Sequence, residues 1–254
     1  MPYTGASDST AIAERILSET KLPRHSICLS FSDIDQAQAS CEFQRAHLGE
    51  ARVQLMPWWK RMIDITVAAT ILFLTLPILA VAALAVRMTS RGPAIFRQMR
   101  VGLGGRPFEM FKLRTMQVGA EYDKDKLLEH NERDGGPFKM DHDPRVTWVG
   151  TILRRTSIDE LPQLFNVLRG DMSMVGPRPL PCDEWVPTEG WYALRHDVTP
   201  GLTCFWQVNG RYRNVTFEEW MKMDLDYISQ RTMRTDLKLI LQTIYTVVCQ
   251  KGAK

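Results

Sequence analysis

The sequence is short of the features that define several large functional classes. Its 32 Lys and Arg nearly balance 29 Asp and Glu, leaving a net charge of only +3. A duplex binder concentrates a larger and more one-sided basic excess, so a nucleic-acid partner is not expected. The five cysteines, Cys28, Cys41, Cys182, Cys204 and Cys249, form an odd set with no CxxC spacing and no adjoining His ladder. That excludes a disulfide framework and an ordinary zinc site, and reads as reduced thiols in the cytosol. The first 20 residues have neither a basic start nor an apolar run, so they do not read as a signal peptide and export is not expected. The glycines match neither GxGxxG nor a Walker loop, and there is no internal repeat and no βαβ alternation. Long apolar runs are also scarce: there is one, within 254 residues that suffice for one core and an anchor.

That run, 62–86, carries the anchor reading. It is interrupted by Asp64 near its start and Pro77 in its middle, and its length would span a bilayer as a straight helix. Trp58, Trp59, Lys60 and Arg61 precede it, and Arg87, Arg91, Arg97 and Arg100 follow it. Positive charge on both sides places both ends in the cytoplasm. Pro77 removes a backbone donor and clashes with the preceding turn, so a helix that breaks there can enter the membrane and return. The expectation is therefore a re-entrant segment, with a straight span and a buried soluble helix as the alternatives. Residues 1–55, rich in Ser, Thr, Asp, Gln and Ala, are expected to be a mobile polar tail, 56–91 the anchor, and 92–254 the cytoplasmic catalytic domain.

After the anchor, Ala94 to Val101 and Pro107 to Thr115 flank a Gly-rich turn at 102–105 and predict a β-hairpin. Alternation on the second strand puts Lys112 and Arg114 on one face, where they either meet an anionic ligand or form a solvated face beside lipid headgroups. Residues 116–140 are polar and predict a helix followed by a Gly135-Gly136-Pro137 loop. Val149, Ile152 and Leu153 recur at helical spacing. Thr216 and Glu219 predict a capping box, and Leu237 to Val248 a last amphipathic helix. The fold class expected is α+β and mostly helical: one membrane-anchored domain with a helix-break-helix segment and a small hairpin.

The chemistry centres on Arg154-Arg155-Thr156-Ser157-Ile158-Asp159-Glu160-Leu161-Pro162. Ser157 and Glu160 have capping-box spacing, and acids in a first turn suit the helix dipole, so a purely structural role is one reading. Pro162 sits awkwardly for that reading and points to an irregular turn. In the functional reading, neighbouring residues of a helix diverge by about 100°, so Asp159 and Glu160 take separate jobs. One carboxylate attacks phosphorus and the other holds a metal ion, with Arg154 offsetting phosphoryl charge.

Three runs carry a resemblance: RQMRVGLGGRPFEMFKLRTM (97–116), DPRVTWVGTILRRTSIDELPQLFNVLRGDMSMVGPRP (143–179) and PGLTCFWQVNGR (200–211), with DLKLILQTI at 236–244. From Lys60 to the C-terminus the chain resembles the bacterial sugar transferases, monotopic polyprenyl-phosphate phosphoglycosyl transferases. The resemblance implies transfer of a hexose 1-phosphate from a UDP-sugar to polyprenyl (undecaprenyl) phosphate, with release of UMP, as the first membrane step of exopolysaccharide or capsule synthesis. It implies Asp159 as a nucleophile that forms an aspartyl phosphosugar intermediate, Glu160 as the Mg2+ ligand, and Arg154 as the basic residue before the pair. Arg178, in Pro177-Arg178-Pro179, resembles a phosphate or nucleotide ligand, while Gln207 and Arg211 fall in a further family motif. With Lys112 and Arg114 these make up the expected substrate contacts. The resemblance also implies the cytoplasmic face of the bacterial inner membrane, and leaves open a homodimer or docking to polysaccharide-assembly machinery. GPFKMDHDPRV and FEEW resemble hexose-specific members, glucose 1-phosphate first and galactose 1-phosphate next.

Two departures from the family pattern stand out. Leu76 replaces the Ser that often precedes the helix-breaking proline, leaving Thr75 as the nearest hydroxyl, and the additional N-terminal spans of larger members are missing from this sequence. Two rival functions remain: a nucleotide-sugar glycosyltransferase holding its metal through Asp141 and Asp143, and a non-enzymatic membrane scaffold gripping headgroups with its basic block.

Overall fold

The computed structural model describes residues 53–123, 125–131, 138, 140, 142–182, 192–210 and 215–249. Its axis is helix α1 (Trp58–Thr89), 32 residues with Pro77 inside and about 48 Å long at 1.5 Å per residue. Burial along it is bimodal. Lys60, Asp64 and Ala68 are buried at the start, and Leu79, Ala82 and Val86 toward the end. The middle stands bare, with Phe73 79 % exposed and Leu74 and Leu76 also exposed. The helix is long and apolar enough to cross a membrane. It continues through Pro77 without interruption, so the expected helix-break-helix geometry is not seen in the backbone. Thr75 does back-bond, its hydroxyl donating to Ile71 O at 2.7 Å, an arrangement that favours bending.

The start of α1 is latched by charge rather than by apolar contact alone. Lys60 Nζ donates to Asp236 Oδ2 at 2.6 Å and to Val175 O at 2.9 Å, Asp64 Oδ1 accepts from Met174 N at 3.0 Å, and Arg61 donates to the carbonyls of Val167 and Leu168. These bonds account for two ionisable residues inside an otherwise apolar helix, since a buried charge persists only when paired.

Strands β1 (Ile95–Val101) and β2 (Pro107–Leu113) form the antiparallel hairpin that the sequence predicts, closed by a 3-10 turn at Leu103–Gly105 in which Gly104 and Gly105 have φ of 61° and 74°. Helix α2 (Trp148–Thr156), capped by the Thr147 side chain, and α3 (Gln163–Arg169) flank it. A second sheet, not expected from the sequence, is also present: β3 (Ser173–Val175) pairs in parallel with β4 (Gly201–Thr203). Three-residue strands give too little alternation to read from sequence. Gly176 and Gly201 let their backbones touch, since a Cβ on Gly201 would lie 2.0 Å from Gly176 N. Helix α4 (Phe217–Ser229) opens with the predicted Thr216–Glu219 capping box, and α5 (Met233–Val248) follows.

The polar stretch after β2 departs from expectation. In place of an α-helix it forms turns and a 3-10 helix, Asp125–His130. Its few apolar residues do not supply a face to bury, and short helices depend on such a face. The Gly135-Gly136-Pro137 loop lies outside the described residues, as does the tail up to residue 52. The last residues before α1 are tied down, with Gln54 N donating to Asp197 O at 2.7 Å. One core cluster joins Ala68 to Leu164, Val167, Met172, Met174, Tyr227 and Leu239, and another joins Leu79, Ala82 and Val86 to Leu113, Val149 and Leu153. Both halves of α1 therefore pack on the same domain.

Candidate active site

Between α2 and α3 the chain turns sharply. Ser157, the only non-glycine with positive φ among the described residues (57°), ends α2 in the left-handed conformation. A single 3-10 turn, Ile158–Glu160, follows, and Pro162 precedes α3. Ser157 makes no side-chain cap bond, so the capping-box reading of Ser157 and Glu160 is not realised. The left-handed backbone of Ser157 instead opens the irregular turn that carries both acids, and such backbone outliers cluster at functional sites. Asp159 is buried and Glu160 is half-buried.

Three cations from three elements converge on this pair. Arg178 Nη2 donates to Glu160 Oε1 at 2.5 Å, and Lys112 Nζ lies 3.4 Å from the same oxygen. Arg154 leaves the last turn of α2, its Nε donating to Thr115 Oγ1 at 2.9 Å, and its charge acts on Asp159. With all five ionised, three positive charges face two negative ones, an excess suited to an incoming diphosphate. Burial, reinforced by the neighbouring Glu160, raises the Asp159 carboxyl to about 6 against the pull of Lys112, Arg154 and Arg178. Burial lowers Lys112 to about 8 despite the attraction of Glu160. Both shifts follow from placing charges where water is scarce.

The remaining expected residues separate. Arg114 does not accompany Lys112: its guanidinium donates to the carbonyls of Ser90, Arg91 and Gly92 and seals the exit of α1 onto β2. Strand β2 ends at Leu113, so the alternation that put both cations on one face stops short of Arg114. Gln207 sits in a π-turn, Trp206–Gly210, where its Oε1 accepts from Cys204 Sγ at 3.3 Å. Arg211 and Asp141 lie outside the described residues. Asp143 is held by Arg145 through both oxygens, at 2.9 and 2.7 Å, in a buried pair. Burial works against that carboxylate, but the Arg145 hydrogen bonds prevail and hold it below its ordinary range.

Several supporting residues have no signal of their own in the sequence. Asn166, fully buried on α3, accepts from Phe111 N at 3.0 Å and donates to Glu109 O at 2.6 Å, clamping the strand that carries Lys112. An amide among Leu164 and Val167 is the only hint. The segment carrying Arg178 is strung from the end of β3 to β1, where Val101 N donates to Leu180 O at 3.0 Å. Arg195, paired with buried Asp224 at 2.6 Å, also donates to Arg178 O at 2.6 Å. Burial raises Asp224 to about 6, and burial with Asp224 nearby pushes the Cys204 thiol up to about 12, so Cys204 is no nucleophile.

Among the described residues no group of three or more His, Cys, Asp or Glu comes together. The donor set nevertheless suits Mg2+, which is characteristically held by one or two carboxylates with substrate phosphates completing its shell.

The sequence profile of the bacterial sugar transferases matches residues 55–250. The chain belongs to that family. It is 44 % identical over 195 residues to the galactosyl transferase CpsE of Streptococcus agalactiae serotype III (strain NEM316), covering 77 % of this chain and 43 % of that protein. It is 43 % identical over 203 residues to the UDP-glucose:undecaprenyl-phosphate glucose-1-phosphate transferase of Caulobacter vibrioides (strain ATCC 19089 / CIP 103742 / CB 15), covering 76 % and 71 %. The protein of the same name from Escherichia coli (strain K12) is 41 % identical over 202 residues, covering 76 % and 41 %. The match thus spans less than half of two of these relatives. They name different sugars at nearly equal identity, so similarity alone does not select one.

Proposed function

We propose that this chain transfers a hexose 1-phosphate, glucose 1-phosphate first, from a UDP-sugar to undecaprenyl phosphate at the cytoplasmic face of the bacterial inner membrane. The observation that carries the reading is the Asp159–Glu160 turn, which projects one carboxylate into a buried position and gives the other to Lys112 and Arg178. A carboxylate that is buried, yet ringed by cations, is poised to attack an electrophile that brings negative charge with it.

In the first displacement an Asp159 oxygen bonds to the sugar-bearing phosphorus and the bond from that phosphorus to UMP breaks. In the second, an oxygen of the lipid phosphate attacks the acyl phosphosugar and Asp159 is released as a carboxylate. Lys112, Arg154 and Arg178 orient and neutralise the diphosphate oxygens. Magnesium, held by Glu160 when bound, would add charge neutralisation on those oxygens.

The burial pattern of α1 supports a re-entrant anchor. A straight crossing would carry one end away from the cytoplasmic domain, whereas here each end has residues buried against that domain and none is buried in the middle, between Ala68 and Leu79. A bend at Pro77 would let that middle dip into the bilayer with both ends held.

The test is purified full chain with UDP-glucose and magnesium but no lipid. It should release up to about one UMP per site and gain a hydroxylamine-sensitive sugar phosphate at Asp159. UMP that appears only with lipid, and no adduct, would move Asp159 from nucleophile to ligand or base. UDP in place of UMP would favour the glycosyltransferase reading, and neither nucleotide the scaffold.

A further inference from the structure

Beyond Pro77, α1 and α2 do not close on each other. A cavity of about 460 Å³ lies between Pro77, Val81 and Ala85 on α1 and Val149 and Ile152 on α2, with Ile158 at one end. Residues 77, 81 and 85 make a single stripe along the helix, and the alanine at 85 leaves room that a larger side chain would fill. The lining is apolar throughout. The trough is open on one side, where Val81 is 69 % and Ile152 52 % exposed, while Ala82, Val149 and Leu153 close its floor. The residue after Ile158 is Asp159, and α2 ends beside it in Arg154 and Arg155.

An all-apolar wall gives nothing to the hydroxyls of a nucleotide sugar, whose burial without partners is costly. Ile158, which lines the trough, directly precedes Asp159 in the same turn, so the hydrocarbon wall and the anion site adjoin along the chain. That adjacency fits a ligand whose hydrocarbon begins at its phosphate. We infer that the trough seats the first isoprene units of the polyprenyl phosphate acceptor, setting its phosphate against Asp159 and Arg154. The inference rests on the proposed function for the identity of the acceptor, and adds where and how its chain is held.

Two experiments decide it. In Ala85→Phe the trough is filled away from the catalytic groups, so KM for undecaprenyl phosphate should rise about tenfold or more while the lipid-free UMP burst stays within about twofold. Unchanged KM would overturn the inference. Independently of folding of that variant, wild-type chain is photolabelled with a polyprenyl phosphate bearing a diazirine on its first isoprene units. Label should map to residues 77–85 and 148–158 and be displaced by undecaprenyl phosphate but not by phosphatidylglycerol vesicles. Label elsewhere, or equal displacement by phosphatidylglycerol, overturns it. Label in the trough with no UMP burst would sink the two-step reaction and leave the trough standing.

Discussion

Replacing Asp159 by Asn should abolish turnover and at the same time stabilise the protein at neutral and alkaline pH. An amide has nearly the shape of the carboxylate and cannot attack phosphorus. Its second effect follows from the raised carboxyl. In the fold Asp159 holds its proton up to about pH 6, against an ordinary value of 3.8. The folded state therefore binds a proton that the unfolded chain gives up, and stability falls as pH rises from about 3.8 through 6. Above that window the wild type carries the full cost of an ionised buried acid, about 3 kcal/mol from the gap between the two values. At pH 5 roughly half of that cost is present. Asn carries none of it.

Thermal unfolding in detergent micelles should accordingly place Asp159→Asn above wild type by roughly 6–12 °C at pH 8, taking about 2–4 °C per kcal/mol for a chain of this size. The gap should narrow to about half at pH 5. The same proton governs chemistry with the opposite sign: the lipid-free UMP burst of the wild type should slow as pH falls through about 6, because only the ionised form attacks. Coincident melting of the two proteins at pH 8 would show that the carboxylate bears no burial cost. A gap that widens toward acid would refute the assigned direction of the shift.

Two further outcomes follow. Asp224→Asn should strand the buried Arg195 charge, costing about 3–5 kcal/mol, and loosen Arg178, whose carbonyl Arg195 holds at 2.6 Å; a thermal shift assay and KM for the UDP-sugar measure the two effects, and unchanged values of both would remove Arg195 from the support of Arg178. For the anchor, single cysteines at the exposed ends of α1, Trp58 and Met88, should react equally with a membrane-impermeant thiol reagent in sealed inverted vesicles, and Pro77→Ala should shift the position at 88 toward protection; labelling at one position and protection at the other without that substitution would establish a straight span.

The parts of this molecule legible in the sequence are those whose causes are local. The hairpin around 102–105, the Thr216–Glu219 cap and the helix ending in Arg154-Arg155 each rest on turn chemistry, capping or period within a dozen residues. The Asp-Glu pair is legible as chemistry, and Pro162 as a sign that its turn is irregular. Its surroundings are legible only in part. Lys112 and Arg178 are 66 positions apart and meet at one Glu160 oxygen, because β3 pairs in parallel with β4 and the chain after it returns to β1. No period or spacing encodes that convergence. Arg114 shows the same limit from the other side: alternation predicts which face a residue takes, but the carbonyls it meets belong to the end of a helix more than 20 residues earlier.

The anchor joins both kinds of information. Lys60 and Asp64 read in sequence as blemishes at the edge of an apolar run, yet they fasten that run to Val175, Asp236 and Met174. Val175 lies two residues before Pro177, so α1 grips the strand from which the Arg178 segment departs. At its other end, Val86 packs on Leu113, next to Lys112. The long apolar helix thus holds, at its two ends, the supports of the two cations on Glu160. On the proposed function, a shift of α1 in the bilayer would be felt at the Asp159–Glu160 pair without any contact between them, which gives a physical reason for helix and pair to be built as one packed body.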